Sequence, residues 1–376
     1  MNNKELLREV VGNFDFTGTL LKVEPYGSGH INDTYLLEYK IKHMGVVPII
    51  LQRMNTNIFK EPEQLMENIL NVTVFLRGKI IQNGGNPERE TLTVILNKQG
   101  KPYYRDSQGN YWRAYHFITG TTGYDEVQSD EDFYQSALAF GKFQSLLADF
   151  PAETLHETIA DFHNTKARFA VFKMAVEDDV MGRAKDVQDE INFVLQREDV
   201  ANILTDMQAS GELPLRVTHN DTKLNNVLID DKTHQGICVI DLDTVMPGLA
   251  INDYGDSIRF GASTGAEDEK DLSKIECSMH LMDVYTKGFI EGCNGRLTSA
   301  EIKALPIGAK VMTFECGMRF LTDYLQGDTY FKTKYPTHNL DRCRTQFKLV
   351  ADMEKKWDTM NEIVAKYNHK KNSLRV

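Results

Sequence analysis

One stretch limits what this chain can be. It reads Thr218-His219-Asn220-Asp221-Thr222-Lys223-Leu224-Asn225-Asn226, and fifteen residues after Asn226 comes Asp241, in the apolar run Val239-Ile240-Asp241-Leu242-Asp243. A hydroxyl attacking a phosphoryl group needs a carboxylate to orient it and accept its proton. A hard cation such as Mg²⁺ takes oxygen ligands, for which an amide carbonyl and a carboxylate serve. Asp221 fits the first role, and Asn226 and Asp241 fit the second. Asp243 lies two residues beyond Asp241, so along a strand it shares that residue's face and is a further candidate ligand. Lys223 is expected to face the transferred group, where an ammonium stabilises charge spread over the phosphoryl oxygens. His219 reads as structural, because the carboxylate two residues on already fills the base role. Asp and Asn also form ordinary turns, but residue type, spacing and the flanking strand patterns agree here.

At this stretch the chain resembles the aminoglycoside phosphotransferase and choline kinase superfamily, in which His-x-Asp-x-x-x-x-Asn replaces the His-Arg-Asp of protein kinases. The longer phrases Tyr26–Asn32, Val217–Asn226, Ile240–Gly248, Asp253–Ser263 and Cys316–Phe331 are similar to the branch of that superfamily that phosphorylates the anomeric hydroxyl of N-acetylhexosamines (GlcNAc or GalNAc). The likeness runs from near Leu20 to near Val350. It implies an α+β, two-lobed, protein-kinase-like fold with the active site in the cleft between the lobes. A small β-rich nucleotide-binding lobe is expected over residues 1–118, and a larger, mostly helical catalytic and sugar-binding lobe over residues 119–376. It also implies ATP as cosubstrate, Mg²⁺, and direct in-line transfer to the C1 hydroxyl. The substrate-binding candidates are His30, Asn32, Arg259, Phe260, Arg319 and Tyr330. An acid at a helix start, read as Asp256, is expected to brace the catalytic loop. The rival readings are another small-molecule kinase, acting on choline, homoserine or an aminoglycoside, and an inactive nucleotide-binding module.

Taken in order, Leu20–Tyr26, Thr34–Ile41 and Val46–Met54 alternate as strands. Gly27, Ser28 and Gly29, in the first turn, would let backbone N–H groups approach phosphate because no Cβ intervenes. There is no GxxxxGK[ST] motif, which excludes a P-loop enzyme. Where a protein kinase carries its phosphate-pairing lysine the resemblance places Gln52, with Arg53 adjacent but on the opposite face. Pro62–Lys79 has helical apolar spacing, and Glu67 on it is either the acidic partner kinases keep there or a solvent-facing glutamate. Asn83–Arg89 reads as a loop. Thr91–Leu96 and Tyr111–Ile118 are the remaining strands of a small sheet. His116, Phe117 and Ile118 run into a Gly/Thr-rich hinge, where backbone groups would meet an adenine edge. Beyond it, 3.6-type spacing marks helices over Glu131–Asp149, Thr165–Asp178, Asp186–Ser210, Asp271–Glu291, Ser299–Leu325 and Leu340–Tyr367. Short strands at Leu215–Thr218, Asn226–Ile229 and Ile237–Asp241 hold the catalytic residues. The tail after Tyr367 reads as disordered.

Charge and composition exclude other classes. A net charge of −11 over 376 residues argues against general nucleic-acid or anionic-membrane binding, which need a basic face. No apolar run approaches the ~20 residues that span a bilayer. The five cysteines are scattered with no CxxC, and the ten histidines show no zinc spacing. The start, MNNKELLREV, lacks an apolar signal region. The expectation is a soluble, cytoplasmic protein; composition gives no oligomeric state.

Overall fold

The computed structural model describes residues 3–27 and 31–368. Ser28, Gly29, His30 and the tail after Asn368 lie outside the described residues. Helix α1 (Asn3–Asn13) leads into three antiparallel strands, β1 (Thr19–Pro25), β2 (Asp33–Ile41) and β3 (Gly45–Arg53). The sequence reading had no helix at α1. Its Leu6 and Val10, with Phe14 after it, pack on Leu37, Leu51, Trp112 and Ala114 of the sheet in a small separate core. An 11-residue helix is marginal alone, so burial against the sheet settles it.

Helix α2 (Pro62–Gln82) opens on proline, as expected, and buries Leu65, Ile69, Val72 and Leu76. A single turn, α3 (Pro87–Glu90), interrupts the stretch read as loop; the Asn86 side chain caps it by accepting from Glu88 N–H. Strands β4 (Val94–Ile95), β5 (Tyr104–Arg105) and β6 (Tyr111–His116) finish the sheet in the order β1-β2-β3-β6-β4, with β5 on β6. The expected strands at Thr91–Leu96 and Tyr111–Ile118 are therefore shorter, and β5 is an addition. β7 (Thr121–Thr122) leaves this sheet at once and pairs with a strand of the second part.

That second part contains α4 (Asp130–Leu146), α5 (Thr165–Asp178), α6 (Gln188–Leu195) and α7 (Glu198–Ala209). Strands β8 (Arg216–Thr218), β9 (Val227–Asp230), β10 (Gly236–Val239) and β11 (Met246–Gly248) follow. β7 and β10 flank β9, and β8 pairs with β11. Then come α8 (Ala250–Gly261), α9 (Met279–Gly292), α10 (Ser299–Leu325), α11 (His338–Lys355) and α12 (Trp357–Asn368). An antiparallel sheet followed by a larger helical part is the expected fold class.

Three long helices of the sequence reading differ. Asp186–Ser210 breaks near Gln196 into α6 and α7, and Leu340–Tyr367 breaks at Lys356 into α11 and α12. Both halves of each face one core, so the apolar period runs through a break one or two residues long. The third, Asp271–Glu291, becomes helical only at Met279, where Ser278 caps α9. Before that, Cys277 bridges to Ser263 and donates its N–H to Asp352.

Two glycines seat α8 against α10. A Cβ on Gly255 would meet the Gly308 carbonyl oxygen at 2.4 Å, and one on Gly308 would meet that of Ile251 at 2.4 Å. The backbones touch because neither position has a side chain. The carboxylates of α8 thereby stand at a fixed depth beneath the catalytic loop.

Candidate active site

The catalytic loop leaves β8 and turns through Asn220, whose φ is 65°. Side-chain carboxylates satisfy its backbone. Asp253 of α8 accepts from His219 N–H at 3.0 Å and from Asn220 N–H at 2.8 Å, and Gln144 donates to it at 2.7 Å. Asp256, one turn further, accepts from Thr222 N–H at 3.1 Å. Asp256 was expected as the brace; Asp253 carries the larger share. Burial pushes the Asp253 carboxyl up, opposed by His219 and by the N–H bonds it receives. Burial works the same way on Asp256, but Arg259 and Lys223 hold its carboxyl below the usual carboxylate range.

His219 is structural, as read. Its Nε2 donates to Ile240 O at 2.8 Å and its Nδ1 lies 3.3 Å from Asp221 N, so both ring nitrogens are tied to backbone. The ring is buried edge-on against Phe140 and Phe143. Thr244 Oγ1 donates to His219 O at 2.6 Å, and Asn220 donates to Thr244 O at 2.8 Å. The catalytic loop and the turn after Asp241 are thus one unit.

Within that unit Asp221 is partly exposed. Lys223 Nζ lies 2.8 Å from its Oδ1, and Asn226 Nδ2 lies 3.3 Å from its Oδ2. Burial lowers the Lys223 ammonium, but the Asp221 and Asp256 carboxylates together hold the group above the usual lysine value. Asn226 spends its amide nitrogen on Asp221, donating also to its backbone carbonyl at 2.8 Å. The Asn226 carbonyl oxygen is the part suited to a cation. Asp241 opens the next turn in a left-handed conformation, φ 57° and ψ 59°. The residue is exposed, yet enclosure of its carboxyl by protein and the neighbouring Asp243 and Asp221 push its pKa to about 7. Such a carboxylate calls for a cation beside it. Mg²⁺ commonly uses one or two carboxylates plus substrate phosphates, and Asn226 with Asp241 fits that set. Among the described residues no group of three or more His, Cys, Asp or Glu side chains forms a closed metal cage.

Asp243 stands elsewhere than expected. Both its oxygens are engaged within the protein: Arg113 Nη1 donates to Oδ1, and Asn32 Nδ2 donates to Oδ2 at 2.8 Å. Asn32, expected at the substrate, is tied to this turn, and its Oδ1 accepts from Asn55 N–H at 3.0 Å. Gln52 is bonded within the sheet, donating to Thr34 Oγ1 at 3.0 Å and accepting from Arg113 Nε at 2.9 Å. Arg53 faces the other way and pairs with Asp33. Sequence reasoning missed Arg113. The available signal was an arginine in an otherwise apolar and aromatic strand, Tyr111–His116, beside a position that lacks the usual lysine.

Of the remaining nucleotide candidates, Gly27 has φ +78° with open space where a Cβ would stand. Tyr26 packs edge-on to Phe117 with ring centroids 5.6 Å apart. The hinge differs in part from expectation. His116 N–H donates to Thr93 O at 3.1 Å and Phe117 N–H to Pro48 O at 3.4 Å, so these two donors are engaged inside the sheet. The Ile118 carbonyl accepts from Thr121 Oγ1 at 2.8 Å. Glu67 is solvent-facing and pairs with His156 at 3.0 Å.

On the acceptor side, Arg259 is buried between Asp256 at 2.9 Å and Glu267 at 3.0 Å. It braces α8 rather than pointing freely at a ligand. Phe260 is exposed. By helical spacing it continues the face of Asp253, Asp256 and Ser257, one turn past Thr222. Arg319 lies over three rings, Phe162 at 5.4 Å and Tyr330 and Phe331 at 5.6 Å each. Its Nη2 reaches Tyr330 Oη at 3.3 Å. Arg168 stands near it, with a buried Nε that has no hydrogen-bond partner. Burial and Arg319 hold the Arg168 guanidinium below its usual pKa. His163 joins this group to the catalytic loop, touching Glu315 at 2.8 Å and Asn220 O at 3.3 Å.

No helix among the described residues is long and apolar enough to cross a membrane. The fold is shared with solved structures of low sequence identity. A microcompartment-associated aminopropanol kinase aligns over 96% of this chain and 99% of its own, with 13% identity and a TM-score of 0.58. An amicoumacin kinase in complex with AMP-PNP, Ca²⁺ and Ami covers 97% and 94%, at 14% identity and 0.56. The choline kinase of Cryptosporidium parvum Iowa II covers 90% of each chain, at 14% identity and 0.55. Residues 22–275, more than half of the chain, match the phosphotransferase enzyme family APH, and the chain belongs to that family.

Proposed function

We infer that the protein is an ATP- and Mg²⁺-dependent small-molecule kinase that phosphorylates the anomeric C1 hydroxyl of an N-acetylhexosamine. The observation that carries the phosphoryl-transfer reading is Asp221, held between Lys223 and Asn226 on a loop braced by α8 and joined to the Asp241 turn. Residues 1–118 would form the nucleotide lobe and residues 119–376 the acceptor lobe. In the reaction, Asp221 orients the acceptor hydroxyl and takes its proton. Lys223, in contact with Asp221, lies where it can stabilise charge on the transferred group. Asn226 and Asp241 would hold Mg²⁺, which neutralises phosphate charge; Asp243 supports that turn from behind.

The sugar assignment rests on the long sequence phrases. The structure adds support against one rival. A choline site would need an open aromatic cage, and the aromatic group at Phe162, Tyr330 and Phe331 is already filled by Arg319. Arg168 beside it makes this wall cationic, which disfavours choline and aminoglycosides alike. His30, Phe260, Arg319 and Tyr330 remain the candidate sugar contacts. The test is turnover of ATP and Mg²⁺ with GlcNAc, GalNAc, choline, homoserine and an aminoglycoside. The expected product from GlcNAc or GalNAc shows phosphorus coupled to C1 by NMR. Coupling to C6, equal phosphorylation of a 1-deoxy sugar, or turnover confined to the amino compounds would overturn the 1-kinase reading.

A further inference from the structure

We propose that Arg113 stands in for the strand lysine of kinase-like enzymes, as the positioning residue that holds the metal turn for the nucleotide's phosphates. Gln52, at the lysine's place on β3, is the cross-strand neighbour of Arg113 on β6. Directly opposed residues of an antiparallel pair share a face, so the guanidinium enters the cleft beside the Gln52 amide. Gln52 has no charge to offer a phosphate. Its amide oxygen accepts from Arg113 Nε, and its amide nitrogen is fixed by Thr34. The glutamine therefore aims the arginine.

The arginine in turn fixes the acid. Arg113 and Asp243 are 2% and 6% exposed. Charges this deep persist only when paired, because their desolvation is costly. Asn32 takes the other Asp243 oxygen and is itself held by Asn55. Three segments of the first part, carrying Asn32 and Thr34, Gln52, and Arg113, thus converge on one carboxylate two residues after Asp241. The left-handed backbone of Asp241 is a conformation that its surroundings must impose. Thr244 ties the far end of the turn to the catalytic loop, and Asp243 ties its middle to the nucleotide lobe. The Arg113 charge also offsets the carboxylate of Asp241 before any cation binds. The proposal rests on the phosphoryl-transfer reading and is independent of the acceptor's identity.

The experiment measures binding of Mg·AMP-PNP by calorimetry, without acceptor, to the wild type and to Arg113→Lys, Arg113→Met and the double variant Arg113→Met/Asp243→Asn. The double variant removes both buried charges, so its thermal midpoint should recover relative to Arg113→Met. Its affinity for Mg·AMP-PNP should nevertheless fall about 10- to 100-fold, the usual cost of losing a group that orients a metal ligand. The Mg²⁺ concentration for half-maximal activity should rise while the acceptor KM stays within about twofold. Arg113→Lys keeps the charge without the Gln52 bond and should rescue in part. A folded double variant that binds Mg·AMP-PNP like the wild type would reduce Arg113 to a structural residue. Should both methionine variants fail to fold, Gln52→Leu decides: it keeps the arginine but removes its aim, and unchanged nucleotide binding overturns the proposal. A wild type that does not bind Mg·AMP-PNP refutes the phosphoryl-transfer reading itself, which separates the two failures.

Discussion

The two walls of the cleft are stabilised in different ways. On the helical side, the catalytic loop hangs from α8: Asp253 and Asp256 accept N–H groups of His219, Asn220 and Thr222, each bond spanning 33 or 34 residues. On the sheet side, Asp243 is held by Arg113 and Asn32, which lie 130 and 211 residues before it. The first wall orders backbone amides with carboxylates that hydrogen bonds stabilise. The second rests on a buried ion pair between distant segments, whereas the buried pair of the first, Asp256 with Arg259, lies within one helix. Loss of a group from the helical wall should therefore cost mainly rate, whereas loss from the sheet wall should cost folding stability first.

The sharpest test is Asp221→Asn, expected to lower kcat on the order of 10²–10⁴-fold with unfolding and Mg·ATP binding nearly unchanged. Near-normal kcat would remove Asp221 from the base role. Asp243→Ala should behave in the opposite sense. It leaves Arg113 buried and unpaired, so about 3–5 kcal/mol of stability should be lost in denaturant titrations. A variant as stable as the wild type but inactive would make Asp243 a metal ligand instead, and the two walls would no longer differ. Asp253→Ala strands the N–H groups of His219 and Asn220. About 1–3 kcal/mol of stability is expected to go, with a kcat loss larger than any change in the KM for ATP. An unaltered kcat would show that the loop keeps its shape without its brace. Smallest is Glu67→Ala. Its pairing with His156 is solvent-exposed, so stability should stay within about 0.5 kcal/mol and kcat should be unaffected. A large kcat loss would restore the kinase helix acid to the sheet wall and weaken the case for Arg113.

Residues 218–226 and 239–243 could be read as chemistry because that information is local. Asp221, Lys223 and Asn226 occupy one loop, and Asp241 follows one hairpin later, so residue type and spacing suffice. The strand and helix periods likewise placed β1, β2, β3, α2 and α10. The same reasoning overran at Gln196 and Lys356, since an apolar period does not register a break of one or two residues when both helices face one core. It overlooked α1, whose helicity comes from burial on the sheet. Nor did it foresee the protein partners of Arg259 and Asn32, because a polar side chain gives no sign in sequence of which groups satisfy it.

By itself, then, the sequence determined the kinase-like fold class, a candidate base and candidate cation ligands on one loop and the turn after it, and the absence of a lysine at Gln52. Only the tertiary structure decided which acid braces the catalytic loop, that Arg319 fills its own aromatic cage, and that Arg113 meets Asp243. These are partnerships between segments far apart in the chain. A buried charge must find its counter-charge wherever the fold brings one, and neither propensity nor spacing records where that is.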